Sequence, residues 1–347
     1  MSAVLSQPSK RWDLSIEMLK AIAAILVMNS HMDAMYGEYS WMATGGAIGD
    51  ALFFFCSGYT LFLSNREENF FNWYKRRIQR IFPAVFICTL LVATYEIKQQ
   101  LPAITMYFRT SWFIYCILIY YILLYPIKRY ANKNIGLLLA TVAGISLLYY
   151  FTIGVEPASL GNIYGATFFK WVFFFFFMLF GAVCGKWRMN ILSSVTIDES
   201  CKVAIRKNPN TLIVLIGLLG SLVVFYGVYI YTKQNPQYEA YQLFSLIPLV
   251  GVCWFLWRFA CSEFSVKLMH SKYLGVVVRF VGGLCLEILL CQNRVFTTEL
   301  NRIFPVNILI IMVGVILLAY VVRIFSRIFL QTFQKEKYDW RAIIEPF

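Results

Sequence analysis

The sequence is poor in charge and poorer still in histidine. Only 14% of its 347 residues are Asp, Glu, Lys or Arg, and only two are His; an ordinary soluble domain carries about 25% charged residues. There is no C-x-x-C pair. The nine cysteines stand singly, at Cys56, Cys88, Cys116, Cys184, Cys201, Cys253, Cys261, Cys285 and Cys291, and several lie inside apolar blocks. That argues against a disulfide framework and against a metal site, and no metal is expected; the remaining reading is of small buried hydrophobes. Also missing are the GK[ST] ending of a phosphate-binding loop and any internal repeat. A cleavable signal is not expected, because the first apolar block carries Glu17 and Lys20. No appended soluble domain is expected either, the longest polar break being 187–210.

What fills the chain instead is apolar. Hydrophobic residues make up 60% and aromatics 18%, with 31 Phe and 22 Tyr. A soluble fold of this size has too few charges to cover that much apolar surface. The apolar residues fall in blocks of about 20, the length that spans hydrocarbon. The blocks run approximately 13–31, 44–64, 79–97, 110–127, 134–153, 166–186, 211–232, 240–260, 274–293 and 303–325. The expected fold is therefore all-α: a polytopic integral membrane protein with about ten transmembrane helices in one domain over 1–347. The phenylalanine run 173–177 reads as lipid-facing or packing material.

The net charge of +13 raises the question of nucleic acid. The basic residues sit between apolar blocks rather than on one polar domain, so membrane lipid is the expected partner and nucleic acid is not. With a cytoplasmic N-terminus and alternating helices, the outer segments hold Lys98, Arg109, Lys233, Arg294 and Arg302. Lys20 and Lys170 fall within spans, and all the other basic residues of the 31 fall on the cytoplasmic side. A wrong span count would scramble that alternation, so both termini are expected in the cytoplasm.

Polar groups inside a span are costly and each asks for a reason. In the first span Lys20 and His31 are eleven residues apart. On a helix that is three turns plus about 20°, which points both the same way, about 16 Å apart. Glu17 lies at i,i+3 from Lys20 and is placed to pair with it. The set reads either as a packing ion pair with an interfacial histidine, or as a general base facing a cavity, imidazole being the side chain best poised near neutral pH. A second cluster, Lys75, Arg76, Arg77 and Arg80 with Trp73, Tyr74 and Pro83, opens the third span. It reads as positive-inside anchoring or as a phosphate site suited to arginine forks. A third, with Gly46, Gly49, Ser57 and Gly58, permits close approach of another helix or of a narrow ligand.

In this order and spacing the three pieces resemble the acyltransferase 3 family of membrane acyltransferases. A first-span pattern like L-D-G-L-R-x10-H is matched by IEMLK, ten residues and His31. A pattern like G-x-x-G-x-x-L-F-F-x-x-S-G is matched from Gly46 to Gly58, and one like R-R-x-x-R-I-x-P by Arg76, Arg77, Arg80, Ile81 and Pro83. Weaker echoes are Trp112-Phe113 opening the fourth span, Gly181 and Gly185 closing the sixth, and Leu286-Glu287 in the ninth. The resemblance implies an acyl-CoA donor, usually acetyl-CoA, bound from the cytoplasmic side of a bacterial cytoplasmic membrane. It implies transfer to a hydroxyl of a polysaccharide, lipopolysaccharide, peptidoglycan or glycolipid precursor. It makes His31 the base, with Glu17 beside it in the catalytic motif, and Lys20, Arg76, Arg77 and Arg80 the donor-site cations. Ser57, Trp112 and Gln292 are then expected on the substrate. The sequence departs from the pattern at three points: Glu17 stands for an aspartate, Lys20 for an arginine, and Gln292 for a histidine late in the ninth span. Lysine lacks the bidentate fork, and glutamine does not exchange protons near neutrality, so a mechanism needing two histidines is not expected. On physics alone, ten spans with intramembrane charges also suit a glycolipid transporter or flippase; the sequence has no inverted-repeat symmetry and no recognisable pair of broken helices to support it.

Overall fold

Asp13 starts the first helix. Its carboxylate accepts a hydrogen bond from the Ser15 amide at 3.1 Å and so caps α1, Leu14–Ser30. The other oxygen accepts from the Tyr59 hydroxyl at 2.7 Å, which ties the start of α1 to the end of α3. The structure is a computed structural model and describes residues 13–64, 68–98, 112–153, 163–165, 167–193, 210–334 and 337–345. Lys10, Arg11, Arg66, Arg109, Cys201, Lys202, Arg206, Lys207 and Lys335 lie outside the described residues.

Every described element is helical. After α1 come α2 (Asp33–Tyr36), α3 (Gly46–Phe62), α4 (Phe70–Lys98), α5 (Trp112–Tyr130), α6 (Ile135–Thr152) and α7 (Phe169–Ser193). The second half contains α8 (Thr211–Gln234), α9 (Leu246–Ala260), α10 (Glu263–Met269), α11 (Leu274–Gly283), α12 (Cys285–Cys291), α13 (Val306–Thr332) and α14 (Trp340–Ile344). Among the described residues six helices are long and apolar enough to cross a membrane, or up to eight if each of two bent pairs is one span. Over its described residues the chain is an all-helical membrane protein.

The core is a crossing of α3 with α7 made possible by glycine. A methyl group added at Gly58 would collide with the Met178 carbonyl, one at Gly181 with the Phe55 carbonyl, and one at Gly185 with the Tyr59 carbonyl. Backbones therefore touch where side chains would hold them apart. The phenylalanine run proves to be packing: Phe173, Phe174, Phe175 and Phe177 are all buried. In the apolar window of the α7 segment, 61% of residues are buried, against 11% in the windows of the α6 segment and α8. Leu137, Leu148 and Phe151 on α6, and Ile216, Leu219 and Val223 on α8, are exposed, as lipid-facing residues are. All eight described cysteines are buried.

Two pairs of consecutive helices are bent at short breaks. Leu14–Ser30 meets Asp33–Met42 at 69°, and Leu274–Gly283 meets Cys285–Arg294 at 59°. Neither bend is signalled in the sequence. At the first bend the Asn29 amide donates to the carbonyls of Met42 (2.9 Å) and Thr44 (3.0 Å) and pulls the chain across the end of α1. At the second, the paired glycines Gly282 and Gly283 end α11, and the Leu284 amide bonds back to the carbonyls of Phe280 and Val281. A third difference is that α4 begins at Phe70 rather than at 79, so the basic cluster lies on the helix itself.

Candidate active site

His31 follows the last residue of α1 and caps it, its amide bonded to the Met28 carbonyl at 3.2 Å. The turn that carries it is fastened from several sides. Asn29 also accepts from the Tyr36 hydroxyl at 2.6 Å. Asn301 donates to the Ala34 carbonyl at 2.8 Å and Asn307, at the start of α13, to the Met35 carbonyl at 2.9 Å. Tyr39 stacks on Phe304 with ring centroids 5.2 Å apart. The segment then re-enters the bundle at Gly45, whose φ of 101° is a conformation that favours glycine, and α3 begins.

This rim encloses a cavity of about 1110 Å³. Its wall brings together His31, Trp112 and Gln292, residues on α1, α5 and the end of α12 that the sequence had put in one site. The His31 ring has no hydrogen-bond partner among the described residues, although Asp33 and Lys170 lie within electrostatic range. Gln292 is 3% exposed, and its side-chain oxygen has no hydrogen-bond partner. Trp41, Phe113, Tyr226 and Tyr229 add aromatic wall. Rings and unpaired polar groups around a void suit a sugar, which offers both C–H faces and hydroxyls.

The same cavity holds two groups that the sequence reasoning passed over, Asp50 on α3 and Lys170 in the first turn of α7. In the sequence Lys170 is a charge within a span, and Asp50 directly follows Gly49 of the glycine motif. A lone charge in an apolar block was the available signal. Lys170 is 8% exposed, its ammonium lies 3.8 Å from the centroid of the Trp112 ring, and Asp50 is within electrostatic range.

Six other candidates are not in the cavity wall. Glu17 and Lys20 pair at 2.9 Å lower on α1, within electrostatic range of Cys56 on α3 and Cys285 on α12. Their part of α1 is pressed against α11, where a methyl at Gly282 would collide with the Glu17 carbonyl, and Lys20 lies eleven residues before His31. Arg76 pairs with Glu68. Arg77 lies over the Trp73 ring, 3.9 Å from its centroid. Ser57 is in hydrogen-bonding reach of Tyr121, and Arg77 and Arg80 are within electrostatic range of the same phenol. Ser57, Arg77 and Arg80 are therefore brought together, but at the opposite end of the bundle from His31.

The model of an acyltransferase domain matches residues 13–324. The chain belongs to the acyltransferase 3 family. A 34% identity over 124 residues links it to the peptidoglycan O-acetyltransferase OatA of Listeria monocytogenes serovar 1/2a (strain ATCC BAA-679 / EGD-e). The match takes in 31% of this chain and 19% of the listerial protein, so it is a partial relative. No solved structure matches. The chain is thus a helical membrane protein of an acyltransferase family, and the cavity at His31 is its candidate active site.

Proposed function

We propose that the protein transfers an acyl group, acetyl in the simplest case, from acyl-CoA to a hydroxyl of a cell-surface carbohydrate or glycolipid, with His31 as general base. The observation that carries this reading is a histidine without a hydrogen-bond partner, exposed to a cavity of about 1110 Å³ in the wall of a membrane acyltransferase. Family membership favours group transfer over the transport reading that the sequence left open. The name of the listerial relative supports a hydroxyl acceptor on a glycan.

In this reading the acceptor hydroxyl rests on Trp112 and Gln292. His31 takes its proton as the oxygen attacks the thioester carbonyl. The donor phosphates lie at the α4 end, on Arg77 and Arg80 beside Ser57, with Arg76 contributing charge. Glu17 and Lys20 line the path between the two ends. Ten spans in one domain with both termini in the cytoplasm put Arg80 on the acyl-CoA side and His31 toward the outer face of a bacterial cytoplasmic membrane. The test is to incubate wild-type and His31→Ala protein in nanodiscs with radiolabelled acetyl-CoA and extracted native glycans. Base-labile label in the glycan with wild type only is the expected result. Equal transfer by folded His31→Ala protein would remove His31 from the reaction. Wild-type protein that neither transfers nor binds acetyl-CoA would return the transport reading.

A further inference from the structure

Lys170 occupies a position that the fold alone does not favour. It is 8% exposed and sits in the first turn of α7, where the helix dipole opposes a cation. Its ammonium makes no hydrogen bond and no ion pair within 4.0 Å among the described residues. What compensates it is the Trp112 face at 3.8 Å and the charge of Asp50 in electrostatic range. Neither of these uses up its three N–H donors. Lys170 lines the cavity that His31 also lines, and the two side chains are within electrostatic range of each other.

A desolvated, aromatic-braced cation with unused donors, lining the same cavity as a base, is an arrangement that stabilises a developing negative charge. We propose that Lys170 is a catalytic residue that donates a hydrogen bond to the carbonyl oxygen of the acyl thioester as it becomes an oxyanion. The proposal rests on acyl transfer at His31 as set out above. The acceptor O–H gives its proton to His31 while its oxygen bonds to the carbonyl carbon. The C=O electron pair moves onto oxygen, where the Lys170 ammonium meets it. The pair then returns, the C–S bond breaks, and the thiolate leaves with the proton from the His31 imidazolium. An ester and a thiol replace an alcohol and a thioester, with nothing left over. Trp112 and Asp50 are positioning residues here. The tryptophan ring fixes the ammonium, and the carboxylate keeps its charge compensated between turnovers.

The test uses full-length wild type, Lys170→Met and Lys170→Arg in nanodiscs. The probes are radiolabelled acetyl-CoA and a glycan extract dosed by hexose content, with thermal unfolding as the folding control. Lys170→Met is expected to lower kcat by about 10²–10³-fold while KM for both substrates stays within about threefold. Lys170→Arg, which keeps charge and donors, is expected to recover a substantial part of kcat. Full kcat in Lys170→Met overturns the proposal. So does a raised glycan KM with unchanged kcat, which makes Lys170 an acceptor-binding cation. A folded Lys170→Arg protein as inactive as Lys170→Met also overturns it, because charge and donors would then not be what matters. Wild-type protein without transfer removes this proposal and the acyl-transfer reading together, whereas an active wild type beside an unimpaired Lys170→Met removes this one alone.

Discussion

The two ends of the bundle hold similar residues in opposite states. At the α4 end the charged groups are largely occupied with each other and with the backbone. Arg76 is on Glu68, Arg77 on Trp73, and Lys128 donates to the carbonyls of Leu61 and Ser64 at 2.7 and 2.6 Å. Deeper in the bundle Lys20 is on Glu17 and Arg323 on Glu287 at 3.4 Å. At the other end, about 25 Å along α1, His31, Lys170 and Gln292 border a void with donors and acceptors unspent. Satisfied charges stabilise a fold, and leaving polar groups unsatisfied costs stability. The second state persists only where something other than folding requires it. The contrast separates two kinds of variant, those that damage the chain and those that damage the reaction.

The largest effect is expected at His31. Since its ring has no hydrogen-bond partner to lose, His31→Ala should leave the thermal unfolding midpoint where it is and lower transfer by about 10²–10⁴-fold, the span of a general base. Parallel thermal melts and single-turnover assays check both halves. A large fall in the midpoint would show that the His31 end is structural after all, and the contrast would be lost. Glu17→Gln should do the reverse. Removing one partner of a largely buried pair leaves Lys20 uncompensated and costs about 3 kcal/mol, read as a lower midpoint and less folded protein. The double variant Glu17→Gln/Lys20→Met should recover most of that stability. Any activity still missing from the recovered protein then reports on the donor path rather than on folding.

A smaller effect tests where the α4 end is not fully satisfied. Arg80 is exposed and within electrostatic range of Tyr121 beside Ser57. Losing one charge-assisted contact to a phosphate costs about 1.5 kcal/mol, so Arg80→Gln should raise KM for acetyl-CoA about tenfold with kcat kept. The wild-type KM should also rise with ionic strength as the patch is screened. An unchanged KM and no salt dependence would make the patch an anchor for anionic lipid, the other reading of the same charges.

Most of the helices were legible because hydropathy in blocks of about 20 is a local signal, and the chain supplies it block after block. His31 was legible as an imidazole at the end of an apolar block, Trp112 and Gln292 only through family resemblance, and the structure puts all three on one cavity. The bends were not legible. No proline marks the turn after Ser30, and its cause is an Asn29 side chain reaching carbonyls at positions 42 and 44. Lys170 on Trp112 joins positions 58 apart in sequence, and Asp50 is further still; no periodicity connects them. Helical phase relates Lys20 to His31 in direction, but it does not say which neighbouring helix packs on each turn, and here α11 packs on the turn of Glu17.

The smallest expected effect makes the sharpest distinction, because it sets stability against function at one atom. Gln292 is 3% exposed, with an unpartnered side-chain oxygen. If the residue only fills space, Gln292→Leu relieves a buried orphan, and stability should hold or rise with transfer unchanged, since the desolvation penalty of such an atom is about 1–3 kcal/mol. If the oxygen waits for an acceptor hydroxyl, the same change removes one neutral hydrogen bond, worth about 1 kcal/mol. KM for the glycan should then rise about fivefold while the unfolding midpoint stays level or increases. The cavity predicts the second outcome, because Gln292 is one of its lining residues and a small rotation of the side chain would offer the orphan oxygen to a bound hydroxyl. Raised stability together with weakened acceptor binding is the signature of a group kept unsatisfied for a substrate, and no variant at the α4 end should produce it.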